Sequence, residues 1–420
     1  MEKIKMVQYG CGKMSKYTIG YALEKGVELV GAFDIDKSKF GKDVSVVLET
    51  NKPVGVKIQD ADELEKFLEE HEVDVAIVTT TSLFSENYPI YETFAKAGVN
   101  VISTCEEAFY AQNSNPVLAA KLDEIAKENG CTICGSGYQD VFWGNLISVL
   151  AGATHKITTI RGKSSYNVED YGISLAKVHG AGLTVEQFQK EIASVDEISD
   201  EERAKLIQEG NYAPSYMWNV NGWLCSKLGL HVKRQTQKTT PHIATEDIYS
   251  STLDMTIKKG DCTGMSAIVT TETEEGTTII SECIGKVYRK DEFDCNDWTI
   301  EGEPSTRVVI ERPATAELTC ASVINRIVEV LVAEPGYTTT DQMPENIYKS
   351  HNLDEYIEYV DIFDEACRCG EHDHCHCDDE CGCGDDCHCG DECDCGDDCH
   401  CGEHHGHCHE HCNCNHDEEE

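Results

Sequence analysis

Short apolar runs alternate with stretches of helical spacing over the first 140 residues. Lys5 to Tyr9 is an apolar run that stops at Gly10-Cys11-Gly12. From there Met14, Tyr17, Ile19, Ala22 and Leu23 recur at close to helical intervals as far as Gly26. Glu28 to Phe33 is a second buried-type run, and Val73 to Val78, Val99 to Ile102 and Cys131 to Cys134 are others. Between them Ala61 to Glu70, Ser85 to Ala97 and Pro116 to Glu128 read as helices. Strands that alternate with helices imply parallel pairing, because two parallel strands need a crossover connection. Beyond Asp140 the runs lengthen and become rich in Thr, Val and Ile, as in Lys156 to Arg161, Thr252 to Ile257, Met265 to Thr271 and Thr277 to Gly285. These predict a mainly antiparallel sheet. Ala316 to Glu334 predicts one long helix, stopped by Pro335-Gly336. The pattern as a whole predicts an α/β chain. A doubly wound parallel sheet occupies 1–140, an α+β substrate and oligomerisation domain 141–310, a C-terminal helix and extension 311–366, and a different material 367–420.

Composition explains that last division. Of 24 cysteines and 17 histidines, 15 and 11 fall within residues 367–420. The same stretch has 18 acidic residues against Arg368 alone, a net of −17, so the first 366 residues carry −25 of the total −42. Both parts are acidic, which argues against nucleic acid or anionic membrane as partner, since phosphate binding needs clustered Lys and Arg. No stretch approaches the roughly 18 apolar residues of a membrane span, and Met1 to Tyr9 reads as a strand rather than a secretion signal. A cytoplasmic protein is expected. The other nine cysteines lack regular spacing, which suits reduced thiols. Cys131 and Cys134, three apart within a strand, point to opposite faces and read as small buried hydrophobes rather than a metal pair.

The turn after the first strand carries chemistry. In Gly10-Cys11-Gly12-Lys13-Met14-Ser15 the first glycine permits a tight turn and the second lets a diphosphate approach the backbone. The helix N-terminus that follows offers free amides to the anion. Ser15 replaces the third glycine of the fingerprint and is small enough for the helix to pack closely. Asp34, 22 residues past Gly12 and at the end of the next strand, is the acid expected to hold ribose hydroxyls. The pattern is that of a Rossmann-type sheet with NAD or NADP as cofactor. A carboxylate at Asp34 favours NAD, and Lys37 and Lys39 soften that preference. Thr79, Thr80, Thr81 and Ser82, with Ser103 and Thr104, follow later strands at their carboxyl ends. They read equally as lining of the cofactor crevice and as helix N-caps.

Longer stretches extend the pattern. Tyr9 to Met14 resembles the opening of the dihydrodipicolinate reductase-like superfamily. Ser103 to Tyr110, Gly135 to Phe142, His179 to Thr184 and Ile300 to Pro304 are similar to the 2,4-diaminopentanoate dehydrogenase family, a resemblance that runs over roughly residues 1–360. It implies oxidative deamination of a diamino acid at C4 by NAD or NADP, giving 2-amino-4-oxopentanoate and ammonia, in a homodimer or higher homo-oligomer. Such a substrate bears two ammonium groups and a carboxylate, so the site should offer carboxylates and at least one cation. Glu106, Glu107, Asp140, Glu169 and Asp170 supply the first, and Arg161, Lys163 and Lys177 the second. Proton removal from the ammonium needs a base with a pKa near the working pH. Lys177 and His179 are candidates, together with Glu106 and Glu107. In the superfamily a lysine precedes a Gly-Thr turn that clamps the substrate carboxylate, and Ala176 to Thr184 looks like a drifted version, with Gly182 and Thr184 in the turn. Tyr138 and Asp140 complete the substrate residues that the resemblance implies. The aromatic stretch Tyr212 to Trp223 reads either as a wall of the site or as core.

The tail is a ligand array. Cys-x-Cys pairs begin at Cys375, Cys381, Cys387, Cys393 and Cys399, a strict six-residue repeat. In extended chain the two sulfurs of a pair (Cys375 with Cys377, Cys381 with Cys383, Cys387 with Cys389, Cys393 with Cys395, Cys399 with Cys401) lie on one side. Two successive pairs offer four thiolates, the set that Zn²⁺ or Cu(I) prefers. His404, His405, His407, His409 and His411 add imidazoles suited to Zn²⁺, Ni²⁺ or Cu²⁺. Almost devoid of apolar residues, the tail is expected to be disordered without metal, and its metal is not catalytic. Two functions from different classes remain: an amine dehydrogenase with a metal-binding appendage, acting on 2,4-diaminopentanoate or a relative such as 2,5-diaminohexanoate, and a metal-storage protein built on a dehydrogenase-like body.

Overall fold

The computed structural model describes residues 3–357. The predicted ligands Cys375 to Cys401 lie outside the described residues, as does the histidine cluster.

The first half of the chain is the expected alternation. It runs β1 (Lys5–Tyr9), α1 (Ser15–Glu24), β2 (Glu28–Asp34), β3 (Ile58–Asp60), α2 (Leu64–Glu70), β4 (Val75–Val78), α3 (Phe84–Lys96), β5 (Asn100–Ser103), α4 (Pro116–Glu128) and β6 (Thr132–Gly135). All pair in parallel, and a two-residue strand from the far end of the chain, Gly336–Tyr337, adds itself beside β6. The order across the seven strands is Gly336–Tyr337, β6, β5, β4, β1, β2, β3. β4 and β6 are buried at every position, as strands with helices on both faces must be. Because the order reverses beside β1, the carboxyl ends of β1 and β4 flank a crevice of the kind in which open α/β sheets bind their ligands.

A π-helical turn over Gln139–Asn145 and α5 (Leu146–Ala151) lead into the second layer. It contains β7 (Lys156–Asn167), α6 (Ile173–Val178), α7 (Val185–Glu191), α8 (Asp200–Gln208), α9 (Tyr216–Lys227), β8 (Val232–Ile243), β9 (Ile248–Ser250), β10 (Met255–Ile257), β11 (Cys262–Thr273), β12 (Thr278–Lys286), β13 (Cys295–Glu303) and β14 (Thr306–Glu311). Six strands form one sheet in the order β14, β13, β7, β12, β11, β8. The expected antiparallel pairing holds except between β7 and β12, which run parallel because the helices α6 to α9 intervene before the chain returns. Only Met255–Ile257 of the predicted strand 252–257 is extended, and it pairs with β9 in a separate ribbon. One face of the large sheet buries Ile160, Ile279, Cys283 and Trp298 against α9, whose Trp218, Trp223 and Leu224 fill the core. Tyr212 to Trp223 is therefore core in large part. Gly162 is required there, since a Cβ would lie 2.4 Å from the Trp298 ring.

The predicted helix 316–334 is two, α10 (Thr315–Asn325) and α11 (Ile327–Val332). The break falls at Arg326, whose amide is shared between the Ser322 and Val323 carbonyls. Its fully buried guanidinium turns inward to both oxygens of Asp140, at 3.0 Å each, and also donates to the Pro344 carbonyl. All nine cysteines among the described residues are free thiols, and eight are buried. No helix of the described residues is long and apolar enough to cross a membrane.

Candidate active site

Residues from both layers meet at a cavity of about 960 Å³. One wall is the glycine turn from Cys11 to Tyr17. The other wall is built by Asn167 at the end of β7 with Asp170 and Tyr171 beyond it, by Tyr288 and Glu292 to Asp294 after β12, and by Arg312 to Glu317 at the start of α10. Lys13 reaches across, its Nζ 3.4 Å from the Asp170 carbonyl.

The turn is shaped for a close approach. Gly10 has φ +87°, and a Cβ on it would stand 2.4 Å from the Thr79 carbonyl oxygen. A Cβ on Gly12 would meet nothing within 4 Å, so the crevice above it is open. Ser15 is buried at the first position of α1 and its hydroxyl donates to the Gly12 carbonyl at 2.7 Å, closing the turn as a third glycine could not. The amides of Gly12, Lys13 and Met14 have no acceptor among the described residues. At the end of β2, Asp34 accepts from the Cys11 amide (2.8 Å), the Asp36 amide (2.7 Å) and the Lys39 ammonium (2.8 Å). Burial alone would raise its carboxyl, but these donors outweigh that and hold it below the usual carboxylate range. Open space over Gly12, unclaimed amides and an ionised acid at the strand end together fit an adenine dinucleotide. Thr79 touches the turn, its hydroxyl donating to the Gly10 carbonyl at 2.8 Å, and the Thr80 methyl lies 3.1 Å from where a Cβ on Gly10 would stand. Thr80 and Thr81 are exposed, with hydroxyls bonded to Asn87 in the first turn of α3.

Past the carboxyl end of β5, Glu106 is partly exposed while Glu107 is buried. Burial raises the Glu106 carboxyl, and a hydrogen bond from Ser82 opposes the shift only in part. Ser82 also takes a 3.5 Å contact from the Tyr216 hydroxyl, and three phenols feel the Glu106 charge. Tyr166, Tyr171 and Tyr216 are all raised by burial in the first place, and the Glu106 charge is among the causes that lift each further. Tyr171 also lines the cavity and meets the Tyr166 ring edge-on at 5.7 Å between centroids. Asp170 and Asp294, both raised chiefly by burial, give the cleft two further carboxylates.

Several expected site residues lie elsewhere. Lys177 is exposed on the last turn of α6 and does not line the cavity. Thr184 is the N-cap of α7, its hydroxyl accepting from the Gln187 amide in a capping box, and Gly182 is the positive-φ turn before it. The segment thus starts a helix, and neither residue lines the cavity. Asp140 is fully buried and spent on Arg326, Ser136 and Asn145. Glu107 ties the Phe84 amide (2.6 Å) to the Ser114 hydroxyl (2.7 Å), and Glu169 holds Ser250 and Thr252. Arg161 and Lys163 alternate with buried Ile160 and Ser164, which puts them on the outer face of β7, paired with Glu301 and Glu282. Tyr138 stacks on Phe142 and its hydroxyl is buried without a hydrogen-bond partner among the described residues. His179 is buried with both nitrogens engaged: Nε2 lies 2.5 Å from the Tyr166 hydroxyl and Nδ1 2.9 Å from the Leu175 carbonyl. Burial lowers its pKa to about 4, so the ring is neutral, and it lies against both Tyr166 and, at 6.4 Å between centroids, Tyr216. Tyr216 belongs to the stretch Tyr212 to Trp223, read either as a wall of the site or as core, whereas no local pattern in the sequence marks Tyr166, Tyr171, Asp294 or Arg312; the pairing of β7 with β12 and β13 brings the first three of these together.

Comparison with known proteins fits this architecture. A Rossmann-type parallel sheet joined to a mixed sheet, with the cleft at the glycine turn, defines the dehydrogenase class of fold. The structure superimposes on an amine dehydrogenase from Mycobacterium smegmatis with a TM-score of 0.75 and 35% identity, covering 83% of this chain and 98% of that one. This chain belongs to that amine dehydrogenase family. It is also 28% identical over 194 residues to 2,4-diaminopentanoate dehydrogenase of Acetoanaerobium sticklandii, an alignment over 45% of this chain and 54% of that protein. A 97-residue stretch is 35% identical to the redox-sensing transcriptional repressor Rex of Thermotoga petrophila, 23% of this chain and 42% of that one. The chain thus spans about half the length of the curated relatives it matches. No family model matches it.

Proposed function

We propose that the protein is an NAD(P)-dependent dehydrogenase that oxidatively deaminates a small amino acid, with 2,4-diaminopentanoate as substrate and 2-amino-4-oxopentanoate and ammonia as products. The observation that carries this reading is the Glu106 carboxyl just past the carboxyl end of β5, raised by burial and sharing Ser82 with the Tyr216 hydroxyl. The nicotinamide, when bound, accepts the hydride from the amine-bearing carbon. Everything else falls to the chain and to water. A substrate ammonium entering the site gives up a proton to Glu106, whose raised pKa suits it to hold that proton. The tyrosines exclude bulk water around the amine and present π-faces to its charge. Loss of hydride leaves an iminium that one water converts to ketone and ammonia. Asp170 and Asp294 are positioned to meet a second ammonium, which favours a diamino acid over a monoamine. Asp34 favours NAD; because Lys39 already neutralises it, NADP is also accepted.

The test is nicotinamide reduction across a panel of diamino acids, including 2,5-diaminohexanoate, with each nucleotide. Turnover of a diamino acid that Glu106→Gln abolishes supports the proposal, and no turnover with any of them removes it. The chain is further proposed to act as a homo-oligomer, and its tail to bind thiophilic ions such as Zn²⁺ through the six-residue cysteine repeat, apart from catalysis.

A further inference from the structure

A dinucleotide brings a diphosphate with two negative charges into a cleft that is itself acidic. Five carboxylates line it, Glu49, Asp170, Glu292, Asp294 and Glu317, against four cations, Lys13, Lys16, Lys39 and Arg312. Two of the cations are committed, Lys16 to Glu49 and Lys39 to Asp34. Lys13 touches only a carbonyl, that of Asp170. Arg312 has no carboxylate partner among the described residues, whereas Arg161, Arg203, Arg234, Arg289, Arg307 and Arg326 each have one. In a chain with 77 acidic residues and 35 basic ones, an arginine left free is a departure.

Nor is Arg312 loose. Its guanidinium stacks 4.0 Å from the centre of the Phe293 ring, its amide donates to the Asp294 carbonyl at 2.9 Å, and its backbone is held at φ +54°. Stacking fixes the plane of the fork while leaving its N–H groups available, the arrangement that suits bidentate contact with phosphate oxygens. The two uncommitted cations come from opposite walls, Lys13 from the glycine turn and Arg312 from the start of α10.

We infer that Arg312 is a second anchor for the cofactor diphosphate, closing on it from the wall opposite the glycine turn, with Lys13 as its counterpart. The inference rests on the dinucleotide reading of the cleft and adds to it a residue of the second layer, so that nucleotide binding draws the two walls together. The full-length protein is titrated with ADP, NADH and adenosine. Arg312→Ala should weaken ADP and NADH by about tenfold, the low end for a charge-assisted contact at a solvent-exposed site. Adenosine, which has no phosphate, should bind both proteins alike. Arg312→Lys should recover part of the loss, and the advantage of the wild type should shrink as salt rises. Unchanged ADP affinity in Arg312→Ala overturns the assignment. So does a loss confined to the KM of the amino-acid substrate, which would place the guanidinium on the substrate carboxylate. If the wild type binds neither ADP nor NADH, the dinucleotide reading itself fails and takes Arg312 with it.

Discussion

Glu106 and Glu107 are adjacent in the chain, yet their surroundings give them different work. Glu107 spends its oxygens on Phe84 and Ser114 and fastens the start of α3 to the segment after β5. Glu106 is only partly buried and shares Ser82 with the Tyr216 hydroxyl. Glu106→Gln is expected to lower kcat by about 10²- to 10⁴-fold, the usual range for a lost general base, with NADH affinity unchanged. Because its carboxyl is raised, activity should fall as pH drops through a point above the ordinary glutamate range. Glu107→Gln should instead lower the unfolding midpoint and leave the pH profile in place. His179 makes a stability prediction of a different sign from a paired acid. Its folded pKa, lowered to about 4 by burial, lies below the ordinary 6.5, so the unfolded chain binds the extra proton first. The stabilisation is complete above pH 6.5 and is lost as pH falls from there toward 4, up to about 3 kcal/mol. Thermal melts between pH 7 and 4 should therefore show a steeper decline for the wild type than for His179→Asn; parallel declines would mean that the buried ring is not the source.

At the level of elements, legibility followed locality. The alternation over the first 140 residues was readable because each strand there is buried at nearly every position and is followed by its own helix, so period and punctuation lie next to each other. The glycine turn and Asp34 were readable for the same reason, being one strand-turn-helix and the strand after it. What could not be read depended on partners far along the chain. The parallel pairing of β7 with β12 joins residues more than a hundred positions apart, and it brings Tyr166 beside Cys283. Arg326 looked like one polar position in a long helix, and nothing nearby announces that Asp140 will receive it. Asp140 was in turn taken for a substrate residue, since an isolated acid after a glycine-rich turn does not reveal a buried partner 186 residues away. That pair now joins the π-helical turn after β6 to the junction of α10 and α11. Removing one member strands a charge in a fully buried site, so Arg326→Met alone or Asp140→Asn alone should cost about 3–5 kcal/mol in denaturant unfolding. An Arg326→Met, Asp140→Leu double variant should recover much of it. If the double variant is no more stable than the singles, the junction needs the ion pair itself and not merely a filled volume.

On the scale of the whole molecule, the two chemistries proposed for the chain ask nothing of each other. Hydride transfer to a nicotinamide needs positioning and a base and draws on no Lewis acid, whereas a thiolate array needs a soft ion and no fold. The described body contains the cleft and the starts of α1 and α10 that line it. The five regular Cys-x-Cys pairs from Cys375 to Cys401 offer ten thiolates, enough for about two complete four-sulfur sites. These separate demands make metal removal informative. Full-length protein loaded with Zn²⁺ should carry about two or more ions per chain, measured by elemental analysis, and a chain ending at Phe363 should carry far fewer. Chelation should strip the ions from the full-length protein while kcat and the KM for the amino acid stay where they were, and the shortened chain should match both values. Should chelation instead abolish turnover in the full-length protein and leave the shortened chain inactive from the outset, the tail would be part of the catalytic machine. The assignment of proton transfer to Glu106 alone would then have to be given up.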